Sequence, residues 1–77
     1  MKIELSKLAP GDKGVIFSHQ SQGAVRQRLL DLGLIPGMAI EFVRFAPMGD
    51  PIEIRVSRTN VVIRMTEAET VLVKVEQ

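Results

Sequence analysis

The stretch from Arg26 to Val56, RQRLLDLGLIPGMAIEFVRFAPMGDPIEIRV, switches its apolar period partway along, and no single regular element satisfies both periods. Val25, Leu29 and Leu32 recur at i, i+4 and i+7, the stripe of an amphipathic helix. Arg26, Gln27, Arg28 and Asp31 occupy the remaining face, with Leu30 on its margin. Gly33 follows where a left-handed residue would close the helix. Leu34 can then fold back on the last turn, and Pro36 forbids continuation. Beyond Pro36-Gly37 the residues become strand formers: Met38 to Phe45 is one run, and Ile52 to Val56 alternates apolar with charged. Between them Ala46-Pro47-Met48-Gly49-Asp50-Pro51 sets two prolines about a glycine, which stops both strands and reverses the chain. The order is helix, tight turn, then a β-hairpin with a stiff tip.

The flanking sequence supplies further short elements. Lys2 to Leu8, with Ile3, Leu5 and Leu8, reads as a short strand or single turn covering one end of the core. Pro10-Gly11-Asp12 turns the chain into a strand over Gly14 to Ser18. His19 to Gly23 is a polar loop in which Ser21 is placed to cap the helix. Arg58-Thr59-Asn60 links the strand ending at Ser57 to a strand over Val61 to Met65, a second tight hairpin. Thr66 and Glu69 have capping-box spacing for one helical turn. Val71, Val73 and Val75 then alternate with Leu72, Lys74 and Glu76 in a last strand. About five such strands with one inserted helix, in 77 residues, cannot build two independent sheets. They are expected to close into one small all-β barrel, which removes most exposed edges. A single domain over residues 1–77 is expected.

Bulk composition narrows the function. The chain has no cysteine, so disulfides and thiolate ligation are unavailable. Ten basic residues against nine acidic give a net charge of +1, without the basic excess of a nucleic-acid binder. No apolar run approaches the ~18 residues of a membrane span, and the first residues lack a signal-peptide core. A cytoplasmic location follows as the expectation, with any place at a membrane provided by a protein partner.

Chemistry is sparse. His19 is the one histidine, set in a loop with no motif around it, and no nucleophile elbow, phosphate loop or HExxH sequence occurs. Gly33 to Gly37 follows a helix, so it aims no helix N-terminus at a phosphate. No catalytic residues, resident metal or cofactor are expected. A transition-metal site of two imidazoles and a carboxylate is out of reach, since His19 supplies only one imidazole. Asp50, between Gly49 and Pro51, reads first as a turn former bonding its own backbone.

A contact surface is the better candidate. The helix face Arg26, Gln27, Arg28 and Asp31 is one part, and the tip Pro47-Met48-Gly49-Asp50-Pro51 is the other. Prolines pre-order the tip, so docking on it orders little chain, and Met48 offers an adaptable apolar contact. Strand parity sets Phe45 with Glu41 and Val43, opposite Ile40 and Phe42, so one face should show apolar surface to a partner or a second copy.

The run Gln27-Arg28-Leu29-Leu30-Asp31-Leu32-Gly33-Leu34-Ile35-Pro36-Gly37, followed by Ala46-Pro47-Met48-Gly49-Asp50-Pro51-Ile52-Glu53-Ile54, resembles the ferrous-iron transport protein A (FeoA) family. That family's pattern carries "QRLLELGLxPG" and "APLGDP" segments at about this separation, and the likeness continues through Val62-Ile63-Arg64-Met65 to the closing strand. The resemblance implies an SH3-like barrel, for which a one-turn helix before the last strand is typical. It implies an accessory protein of bacterial ferrous-iron uptake that binds the cytosolic region of the GTPase-containing transporter FeoB and modulates it. Two alternatives accompany it: a regulatory adaptor related to the C-terminal domain of iron-dependent repressors, and a weak iron-binding chaperone. Proline-rich peptide recognition, which an SH3-like fold suggests, needs aromatic planes, and the chain has no Trp or Tyr.

Overall fold

A computed structural model describes residues 1–75. Among them lie β1 (Lys2–Glu4), a 3-10 turn (Leu5–Lys7), β2 (Lys13–His19), α1 (Gly23–Asp31), β3 (Ala39–Phe45), β4 (Ile52–Val56), β5 (Thr59–Ile63), α2 (Met65–Ala68) and β6 (Val71–Lys74). The six strands form one antiparallel sheet in the order β1-β6-β2-β3-β4-β5. The fold is mainly β, an SH3-like barrel.

The sheet curls around a core filled from one face of its strands. Ile16, Ile40, Phe42, Ile52, Ile54, Val56, Ile63, Val71 and Val73 are all buried. The connections close the open sides, since Leu5, Leu8, Leu29, Leu34 and Ala68 are buried in the same cluster. The alternation in Ile52 to Val56 survives intact: Ile52, Ile54 and Val56 point in, while Glu53 and Arg55 point out. Gly14 marks the tightest approach. A methyl there would lie 2.5 Å from Val73 Cγ1 and 2.8 Å from the Lys74 carbonyl oxygen, so β2 and β6 can lie this close only without a side chain.

Helix α1 ends as its sequence dictates. Gly33 has φ +100°, its N–H donates to the Leu30 carbonyl at 3.0 Å, and the Leu34 N–H donates to the Leu29 carbonyl at 3.0 Å. These two bonds are the Schellman pattern, and they draw Leu34 into the core. The helix start departs from expectation. Gln22, not Ser21, occupies the N-cap, and it makes no side-chain capping bond. The Ser21 hydroxyl lies 3.3 Å from His19 Nδ1 instead. Val25 is exposed and Leu32 half-buried, so the buried stripe of α1 narrows to Leu29. Of this nine-residue helix only the last turn, through Leu29, reaches the core.

Further boundaries shift for identifiable reasons. The first segment is both strand and turn, since Lys2–Glu4 pairs with β6 before the 3-10 turn and adds a sixth strand. The second hairpin turns on Ser57-Arg58, because Val56 pairs with Thr59. Ser57 adopts φ +58° and Arg58 does not, the signature of a II′ turn. The α2 box uses Glu67, whose Oε1 accepts the Arg64 N–H at 2.9 Å, rather than Thr66 and Glu69. β6 ends at Lys74, and the expected place of Glu76 lies outside the described residues.

Parity fails at Phe45. A bulge shifts the β3–β4 register between Phe42 and Arg44, so Phe45 pairs with the inward-facing Ile52. Phe45 therefore shares the face of Phe42, with the ring centroids 5.0 Å apart, and not the face of Glu41. One extra residue in a strand exchanges the faces of everything beyond it.

Candidate functional site

The tip of the β3–β4 hairpin is the most exposed apolar feature among the described residues. The Gly49 N–H donates to the Ala46 carbonyl at 2.7 Å, and the Ala46 N–H donates to the Pro51 carbonyl at 2.9 Å. Gly49 supplies φ +89°, which a side chain would resist. These constraints push Met48 outward, 92% exposed. Beside the tip runs a shallow apolar groove lined by Phe45, Ala46, Pro47, Pro51, Ile52 and Val62, with Arg44 and Glu53 at its margin. Phe45 is 41% and Val62 51% exposed, so Met48, Phe45 and Val62 offer apolar surface that the core does not use.

The outward face of the same three strands is a charged network. Glu53 accepts from Arg44 Nε at 2.7 Å and from Asn60 Nδ2 at 2.6 Å, and Asn60 Oδ1 accepts from Arg55 Nε at 3.1 Å. Arg55 reaches Glu41 at 3.9 Å. The Asn60 and Arg44 hydrogen bonds hold the Glu53 carboxyl below its ordinary value. This network orders the hairpin stem that carries the tip.

Four residues of the expected contact surface are engaged within the chain. Arg28 Nη1 donates to both carboxylate oxygens of Glu67 at 3.0 Å, tying α1 to α2. Asp50 does not bond its own turn; its Oδ1 accepts the Met65 N–H at 2.9 Å and caps α2 from the hairpin. Glu67 caps the same helix end through Arg64 N–H. The helix face and the hairpin tip thus both lean on α2, a four-residue helix. Gln27 donates to Asp31 at 2.9 Å along the surface of α1, and Arg26 is exposed without an ion-pair partner among the described residues. Pro47, Met48, Gly49 and Pro51 stay together at the tip, exposed.

Val62 and Arg44 line the groove, and sequence reading missed both. Val62 lies in an exposed position of an alternating strand, a signal visible in TNVVI, but the groove itself depends on the β4–β5 register.

His19 is built into the scaffold. Its Nε2 donates to the Leu34 carbonyl, so in the neutral ring Nδ1 accepts from the Ser21 hydroxyl. The ring ties the end of β2 to the loop after α1. Among the described residues no group of three or more His, Asp or Glu side chains is arranged to hold a metal ion. No helix among them is long and apolar enough to cross a membrane.

A curled antiparallel sheet with one turn of helix before its last strand defines a small barrel of the SH3-like class. Sequence comparison narrows the class. The chain belongs to the FeoA family, matching the FeoA domain over residues 3–75. It is 35% identical over 72 residues to the Fe(2+) transport protein A/Fe(2+) transporter FeoB fusion protein of Porphyromonas gingivalis. That match covers 94% of this chain and 8% of the fusion protein, so the chain spans a small part of that relative. Among solved structures, the FeoA protein of Chlorobium tepidum shares 40% identity with a TM-score of 0.89, over 97% of this chain and 71% of that one. The zinc-complexed FeoA of Stenotrophomonas maltophilia, a prokaryotic SH3 domain protein, shares 31% identity with a TM-score of 0.79, over 96% and 89%. A manganese-dependent transcriptional repressor carries the same fold at 12% identity, TM-score 0.87, over 97% of this chain and 42% of the repressor.

Proposed function

We propose that this chain is a cytosolic accessory protein of bacterial ferrous-iron uptake. It docks on the cytosolic, GTP-binding region of the FeoB transporter and modulates it, without catalysing a reaction or holding a metal itself. The exposed, braced Met48 at the tip, continuous with the groove at Phe45 and Val62, carries this reading. A side chain 92% exposed contributes little to the core, and a tip held by its own backbone loses little freedom on binding. The P. gingivalis relative supports the choice of partner, since its name joins an FeoA-like and an FeoB part in one polypeptide. Residues 1–77 then act as one unit, peripheral to the membrane through the partner. The helix face contributes through Arg26, Gln27 and Asp31, whereas Arg28 and Asp50 act mainly by positioning α2.

Met48→Asp tests the reading in cells that depend on ferrous-iron uptake. The variant should fold like the wild type yet fail to restore uptake. Full uptake with Met48→Asp would remove the tip from the docking surface.

A further inference from the structure

The sheet ends at β5, which pairs with β4 alone among the described residues. Its two-residue turn makes Val56–Thr59 a hydrogen-bonded pair, and such pairs alternate along an antiparallel ladder. Ile54–Val61 and Ile52–Ile63 are then bonded pairs as well, and Arg55–Asn60 and Glu53–Val62 between them are non-bonded pairs. The residues that send N–H and C=O away from β4 are therefore Asn60 and Val62. Two donors and two acceptors stand unpaired in a row, a template for another strand.

Charge decides which strand fits. Arg58 and Arg64 flank the row, both exposed and neither in an ion pair among the described residues. A second copy can satisfy all four groups in one register, with Asn60 opposite Val62 of the other copy. That register sets Arg58 against Arg64 at both ends, and like charges directly opposite are unfavourable. The arginines thus guard the edge against self-pairing while attracting acids.

We propose that β5 accepts an extended segment of a partner protein with acidic residues six positions apart. Read antiparallel, one acid meets Arg64, the next but one residue meets Val62, the residue after that meets the half-buried Val61, and the second acid meets Arg58. A small apolar residue suits the positions against Val62 and Val61, and a polar one suits the position against Asn60. This inference holds for any protein that supplies such a segment and does not depend on the transporter reading.

The test titrates the ¹⁵N-labelled chain with the capped peptide Glu-Thr-Val-Val-Thr-Thr-Glu and with its counterpart bearing Lys at both ends. The acid-ended peptide should shift the Asn60 and Val62 amides and slow their hydrogen exchange. It should bind about tenfold tighter than the lysine form, the sum of several exposed charge pairs, and the gap should narrow as salt is raised. The double variant Arg58→Glu/Arg64→Glu, checked for wild-type spectral dispersion, should reverse the preference. Equal binding of both peptides, shifts confined to other residues or no shift at millimolar peptide would overturn the proposal. Shifts of the same amides with protein concentration alone would overturn it in favour of a second copy.

Discussion

The contacts at α2 separate residues that hold the fold from residues free to bind, and a mutant cycle measures the separation. Glu67 makes two kinds of bond: it accepts the Arg64 N–H at 2.9 Å as a cap, and it pairs with Arg28 at 3.0 Å. The Glu67 side chain is 12% exposed and that of Arg28 is 48%. A lost cap costs about 1 kcal/mol, and a partly exposed ion pair is worth roughly 0.5–1 kcal/mol. Glu67→Ala should therefore destabilise by about 1.5–2 kcal/mol, whereas Arg28→Ala loses only the pair, about 0.5–1 kcal/mol. The double variant should match Glu67→Ala within about 0.3 kcal/mol, because nothing remains for Arg28 to hold. A 77-residue domain has a total stability of roughly 4–12 kcal/mol, so these differences are large. Each kcal/mol moves the midpoint of a domain this size by about 4–8 °C, which circular dichroism resolves. Asp50→Ala should cost about 1 kcal/mol through its cap on Met65, and Asp50→Asn, which keeps an acceptor oxygen, only a few tenths. Additive losses in the Arg28/Glu67 double variant, or an Arg28→Ala cost equal to that of Glu67→Ala, would refute this reasoning.

Other perturbations probe the barrel. Gly14→Ala forces a methyl onto Val73 and the Lys74 carbonyl and should cost about 2–3 kcal/mol by denaturant unfolding; adding Val73→Ala should recover little, since the carbonyl clash stays. Leu29→Ala, at a fully buried position, should cost about 2–4 kcal/mol, and a midpoint within a degree or two of wild type would contradict the burial of α1. Glu53 has a lowered folded pKa, so its contribution is present above the unfolded carboxylate range and is lost as pH falls through the folded value. The stability gap between wild type and Glu53→Gln, followed by thermal melts, should accordingly close on acidification below about pH 4.

Local rules made much of this molecule legible in its residues. Gly33-Leu34 closes α1 because a left-handed glycine followed by an apolar residue satisfies two carbonyls and buries a side chain, all within six residues. Ile52 to Val56 keeps its alternation because nothing interrupts the pleat. Legibility ended where long-range geometry intervened. The bulge before Arg44 carries no mark in the sequence, yet it moves Phe45 to the face of Phe42. Ser21 had the chemistry of a cap, but His19 lay two residues away and took its hydroxyl. The residues alone place Arg28 on a contact face and make Asp50 first a turn former bonding its own backbone, because their real partners stand 39 and 15 residues distant. The tip itself was visible, since two prolines about a glycine leave Met48 nowhere to go but outward.

The decisive measurement is co-purification of the tagged chain with FeoB from solubilised bacterial membranes, run side by side for wild type and Met48→Asp. Wild type should retain the transporter and Met48→Asp should lose most of it, with both chains melting at the same temperature. A wild-type chain that emerges alone, or two chains that retain the transporter equally, would contradict the account.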